Sequence, residues 1–150
     1  MIGAAPRERE ARRAGATHFF DYRTEHVAEQ VHAIFPQGYD FVIDALGRVG
    51  VADLGLALLR PGGTLGIYGV DDYDRCTIVP TRARGSFTFY NGGYDEGETH
   101  ERVLLALHKG QLDASIWLDL DHPYPLERIG EAFEAVRTRR AVKALIRIRG

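Results

Sequence analysis

Cysteine is nearly absent. Cys76 stands alone, so the chain can build neither a disulfide framework nor a cysteine-rich zinc site. Serine is almost as sparse. Only Ser86 and Ser115 occur, and neither sits in a Gly-x-Ser-x-Gly elbow, so a hydrolase triad has no support. No apolar run approaches the ~20 residues needed to span a bilayer. The stretch after Met1 mixes Arg and Glu and does not read as a signal peptide. Neither sign of charge dominates. Nineteen Lys and Arg face 21 Asp and Glu, for a net charge of -2, which gives no pull toward nucleic acid or membrane. The six histidines (His18, His26, His32, His100, His108 and His122) include no pair at i, i+4, so no helical metal pair exists. These absences lead to the expectation of a soluble, cytoplasmic protein.

What is present is a chain of 150 residues, 45% of them hydrophobic. That length suits one domain and can bury roughly 70% of the unfolded surface. Its apolar runs alternate with helical patterns. Met1–Ala5 reads as a short strand closed by Pro6, and 7–14 as a helix stopped by Gly15. His18–Tyr22 is aromatic and strand-like. Thr24 is placed to cap a helix carrying Val27, Val31 and Ile34 on one stripe. Tyr39–Ala45 reads as a central strand covered on both faces. A helix over 51–59 buries Leu54 and Leu58, and Pro61-Gly62-Gly63 forms a tight turn. Strands follow at 64–70 and 86–90, and the polar stretch 71–84 reads as a surface loop. The pattern predicts a helix over 99–109. A second, over 125–139, carries Leu126, Ile129, Phe133 and Val136 on one stripe, and a strand over 142–148 closes the chain. Asp119 and Asp121 alternate along an apparent strand with a solvated face. Arg137, Arg139 and Arg140 beside Glu131 and Glu134 read as a soluble helix end. Strands alternating with helices predict a parallel, doubly wound α/β sheet.

A strand ending in Asp44, a helix, then Leu59-Arg60-Pro61-Gly62-Gly63-Thr64-Leu65 is shared by class I methyltransferases and medium-chain dehydrogenases. The wider pattern separates them. Arg12-Arg13-Ala14-Gly15-Ala16-Thr17-His18-Phe19-Phe20-Asp21-Tyr22 resembles the medium-chain dehydrogenase signature. So do Gly92-Gly93-Tyr94, the segment 125–136, and Ala141-Val142-Lys143-Ala144-Leu145-Ile146. By these residues the chain is similar to the NAD(P)-binding domain of zinc-type alcohol dehydrogenases, in its C-terminal part. The resemblance implies a Rossmann-like doubly wound sheet that lacks the first strand and its Gly-x-Gly-x-x-Gly turn, the turn that cradles a pyrophosphate. Gly62, Gly63 and Gly66 come nearest to that spacing and read as structural. The family's catalytic domain, with its zinc ligands, is missing as well.

In such a sheet, ligand binds beyond the carboxyl ends of the strands. That rule selects Ala45, Leu46 and Gly47, then Tyr68, Gly69 and Val70, then Phe89, Tyr90 and Asn91. The resemblance implies that these positions meet the nicotinamide or ribose largely through backbone groups. It also implies that Lys143 pairs with the pyrophosphate. Arg7, where the family usually has an acid, suits the 2′-phosphate of NADP, and this tips the cofactor expectation from NAD(P) slightly toward NADP.

The resulting expectation is a fragment of an NAD(P)-dependent oxidoreductase of alcohol or polyol dehydrogenase type. It would be inactive alone, have no catalytic or metal residues of its own, and form a homo-oligomer. Two alternatives remain at this stage: an S-adenosylmethionine-dependent methyltransferase of class I, and a non-catalytic remnant or interaction module. With the usual strand order 3-2-1-4-5-6, a missing strand 1 would leave a gap beside the Phe41 strand. The Phe41, Thr64 and Phe87 strands should still hold together.

Overall fold

The computed structural model describes residues 1–69, 71–75, 77–90, 92–93 and 95–148. Val70, Cys76, Asn91 and Tyr94 lie outside the described residues. The chain divides into two compact units. A central unit comprises Phe20–Tyr94 with Ile2, and a terminal unit comprises Met1, Gly3–Phe19 and Asp95–Gly150.

The central unit is a right-sized core for a parallel sheet. Strand β3 (Tyr39–Asp44) passes through helix α3 (Val51–Leu58) into β4 (Leu59–Ile67), and β5 (Phe87–Tyr90) follows. The order is β3-β4-β5, with both pairings parallel. A strand–helix–parallel strand unit needs its helix laid on one face of the sheet. Here Leu56 of α3 packs with Ala52, Leu59 and Leu65, and Phe87 joins from β5. Helix α2 (Val27–Ile34) packs Val27 and Val31 against Phe20 and Leu58, with Ile2, Tyr39, Val42 and Leu54 at the margin. The ring nitrogen Nε2 of His32 lies 2.8 Å from the Ala57 carbonyl and ties α2 to α3. Strands β1 (Ile2–Gly3) and β2 (Phe20–Asp21) form a separate two-stranded ladder.

Several sequence expectations change in detail. Thr24 does not cap α2. Its hydroxyl donates to the Asp21 carbonyl, and the cap position is His26 in a left-handed conformation. Ile34 is exposed, not on the buried stripe. The Pro61-Gly62-Gly63 turn lies inside β4, not before it. Tyr39 pairs with Leu59 but Phe41 pairs with Thr64, so residues 60–63 bulge out of the β3 ladder, while Gly63 still pairs with Phe87 of β5. Gly62 has φ +78 there, a conformation that favours glycine. Strand β3 is covered on one face only. Val42 packs into both apolar clusters, whereas Phe41 and Ile43 on the opposite face are 73% and 71% exposed. Among the described residues no strand pairs with the other edge of β3. The three strands nonetheless stay together, as expected.

The terminal unit is built differently. A 3-10 turn (Ala5–Arg7) leads into α1 (Glu8–Arg13). Helix α4 (Glu96–His108) starts three residues earlier than the sequence pattern predicts, because the Asp95 carboxylate accepts from the Gly97 and Glu98 amides. A 3-10 turn (Leu126–Arg128) precedes α5 (Ile129–Arg137). The Leu126, Ile129, Phe133 and Val136 stripe is exposed, Phe133 by 71%. The residues α5 buries are Ala132 and Ala135. Strands β6 (Tyr124–Pro125) and β7 (Ile146–Arg147) form a short parallel pair, so the closing strand is two residues long instead of seven. Asp119 and Asp121 lie in a loop, not on a strand. The Asp119 carboxylate accepts the Asp121 and His122 amides. Arg137 pairs with Glu134 at the end of α5, as a solvated helix end does. No helix among the described residues is long and apolar enough to cross a membrane.

Candidate functional site

The carboxyl ends of β3 and β4 meet in the central unit. Apolar residues run along β3 to Asp44, whose side chain is buried with the residue only 2% exposed. A charge is not left in such a place without hydrogen bonds. Asp44 Oδ1 accepts from the amides of Leu46 at 2.8 Å and Gly47 at 2.9 Å. Its backbone carbonyl accepts from the amides of Tyr68 and Gly69, at 2.8 and 3.1 Å. The Leu46 and Gly47 carbonyls in turn accept from the Asp71 and Asp72 amides. Arg48 pairs with Asp71 across the same two turns.

Gly69 shows how closely the turns approach. A Cβ built there would lie 2.1 Å from the Leu46 carbonyl carbon and 2.4 Å from the Gly47 nitrogen. Only a residue without a side chain permits this backbone crossing. Gly47 and Gly69 are buried, and Leu46 and Tyr68 stand exposed above them. The surface they form is a small apolar and aromatic shelf.

The sequence candidates therefore separate. Leu46, Gly47, Tyr68 and Gly69 come together. Phe89 sits on the neighbouring strand, paired in register with Leu65, its ring edge-on to Phe87 at 5.9 Å. Asn91 and Val70 lie outside the described residues. Arg7 and Lys143 belong to the terminal unit. Arg7 closes the 3-10 turn ahead of α1, its amide donating to the Ala4 carbonyl. Lys143 is exposed, donates its amide to the Trp117 carbonyl, and lines an open cleft of about 860 Å³. The amides of Leu46, Gly47, Tyr68 and Gly69 are all engaged internally. What these four residues present outward is thus the Leu46 and Tyr68 side chains, not their N–H donors. Sequence reasoning passed over Asp44 as a site residue. The signal was an acid closing an apolar strand, two and three residues ahead of the backbone it holds.

A zinc ion has no fit. Among the described residues no group of three or more His, Cys, Asp or Glu side chains could hold a metal ion.

A parallel sheet in the order β3-β4-β5 with helices packed on it defines a Rossmann-like α/β class of protein. A family model described as zinc-binding dehydrogenase matches residues 2–90. The chain belongs to this zinc-binding dehydrogenase family, and the methyltransferase alternative is set aside. Among solved structures, alcohol dehydrogenase TADH from Thermus sp. ATN1 superposes with a TM-score of 0.80 at 27% identity, over 99% of this chain and 44% of that one. A synaptic vesicle membrane protein VAT-1 homolog from Danio rerio is 27% identical over 88% of this chain and 31% of its own length. D-arabinitol dehydrogenase 1 from Uromyces fabae is 26% identical over 75% of this chain and 32% of its own. The chain thus spans about a third of the length of these curated relatives.

Proposed function

We propose that the chain is part of the NAD(P)-binding domain of an oxidoreductase of alcohol or polyol dehydrogenase type. The observation that carries this reading is the joining of the β3 and β4 exits by Asp44 into one exposed shelf. Family membership and the dehydrogenase names of the relatives support the cofactor class. When bound, the nicotinamide dinucleotide supplies the hydride acceptor or donor. Leu46 and Tyr68 offer its planar ring an apolar seat, shed water from one side, and hold the ring by packing. Phe89 extends that seat along the sheet. The family resemblance assigns Lys143 to the pyrophosphate, and Arg7 to the 2′-phosphate of NADP in preference to the bare ribose of NAD. The whole protein assembles as a homo-oligomer and works in the cytoplasm. Any zinc it uses is held by residues outside this chain.

With no metal-holding group among the described residues, the chain alone is expected to produce no NAD(P)H from small alcohols. Binding of NADPH and NADH, followed by the fluorescence of the reduced nicotinamide, is the test. Weak binding with NADPH ahead of NADH is expected. Lys143→Ala should weaken it about tenfold, the worth of one charge-assisted hydrogen bond. Tight binding indifferent to Lys143 would remove that residue from the site.

A further inference from the structure

We infer that Asp44 is the positioning residue of this site. It fixes the Leu46–Gly47 turn against Gly69 and thereby sets the shape of the surface the dinucleotide meets. The inference rests on the dinucleotide reading and deepens it.

Four hydrogen bonds converge on this one residue. Two amides of its own turn meet its side chain, and two amides from the exit of β4 meet its carbonyl. The glycine contact makes the arrangement intolerant of error. With a Cβ excluded at Gly69, the turn has little room to relax sideways if its anchor is removed. Asp44 also carries a cost that a purely local turn cap would not need. Its second oxygen, Oδ2, is buried and has no hydrogen-bond partner among the described residues. A buried acceptor left unpaired opposes folding. Asp44 touches no ligand-facing surface itself, so it acts through Leu46, Gly47 and the β4 exit.

The acceptor geometry separates this role from a need for charge. An asparagine at position 44 keeps one carbonyl oxygen for the Leu46 and Gly47 amides. An alanine keeps none. The test is an amide ¹H–¹⁵N spectrum of the full chain titrated with NADPH and NADH, which reads weak binding residue by residue. For the parent chain, shifts are expected at Leu46, Gly47, Tyr68 and Gly69. Asp44→Asn should bind within about threefold of the parent. Asp44→Ala should bind at least tenfold more weakly, with faster hydrogen exchange at the Leu46 and Gly47 amides. Val31→Ala, a core truncation in the same unit away from the turns, should lower Tm and leave affinity unchanged. If Asp44→Ala gives no folded spectrum, Asp44→Ser takes its place and must bind more weakly than Asp44→Asn. The inference fails if the alanine or serine variant binds like the parent. It also fails if Val31→Ala loses as much, or if the asparagine variant loses as much as the alanine one. A parent chain that binds neither dinucleotide overturns the functional reading and this inference with it. A parent that binds while the variants do not differ overturns the inference alone.

Discussion

The two units bury their chain in different ways. The central unit buries large side chains: Leu56, Leu59 and Leu65 are almost wholly enclosed, as is Val31 of α2. In the terminal unit the buried apolar residues among those described are Ala11, Ile116, Ala132 and Ala135. Its larger apolar side chains, including Leu104, Leu105, Ile129 and Phe133, face outward. Both units have amphipathic helices, so amphipathicity alone did not decide burial. A helix buries its stripe only where another element lies opposite. In the central unit β4 lies opposite α3, and Phe20, β3 and Leu58 of α3 lie opposite α2, and these supply that surface. The family match, residues 2–90, covers the same well-packed stretch.

The largest effect should come from the crossing of the two site turns. Gly69→Ala places a methyl within covalent range of the Leu46 backbone and cannot be accommodated in place. A loss of about 4 kcal/mol or more in chemical denaturation is expected, at the diagnostic end of single substitutions. A small loss would mean that the turns separate freely and that their contact does not shape the site.

Next in size is the core. Leu56→Ala, at the centre of the α3–β4 cluster, should cost about 2–5 kcal/mol by the same measurement. The matching truncation in the other unit is Phe133→Ala. Its ring is mostly exposed, so the change should stay within about 0.5 kcal/mol. Equal losses for the two would erase the contrast between the units.

The smallest effect is electrostatic. Asp40 lies at the β4 bulge with Arg60, N···O 2.6 Å. The Arg60 hydrogen bond and charge hold its carboxyl below its ordinary value. A depressed carboxylate pKa adds stability above the unfolded value, and that contribution is lost as pH falls through the folded one. Melting followed from neutral pH into the acid range should show this small loss. Asp40→Asn should flatten it, and added salt should shrink it, since the pair is exposed. An unchanged acid limb in Asp40→Asn would show that the ion pair contributes nothing.

Much of the central unit was legible. A run such as Tyr39-Asp40-Phe41-Val42-Ile43-Asp44 marks a strand through its β-branched and aromatic residues. Val27 and Val31 mark the buried face of α2 by their spacing. Leu46, Gly47, Tyr68 and Gly69 followed from the rule that ligands sit at the carboxyl ends of parallel strands. Other features were hidden because they depend on partners distant in sequence. The exposure of Phe41 and Ile43 depends on which elements lie over β3, and no local pattern encodes that. The burial of Ala132 instead of Phe133 has the same origin. The bulge at 60–63 was read as a plain turn because Pro-Gly-Gly does not reveal that Leu59 already pairs with Tyr39. Asp44 was missed because its role lies in four hydrogen bonds, two of them to the exit of another strand.

Hydrogen exchange of the full chain, measured with and without NADPH, bears most directly on the claim that the packed central unit carries the dinucleotide site. Without ligand, the slowest amides should fall in β3, α3 and β4, with α4 and α5 exchanging faster. NADPH should then add protection at residues 44–48 and 67–69. Added protection confined to residues 96–148, or none in the 44–48 and 67–69 turns while NADPH is bound, would contradict that placement.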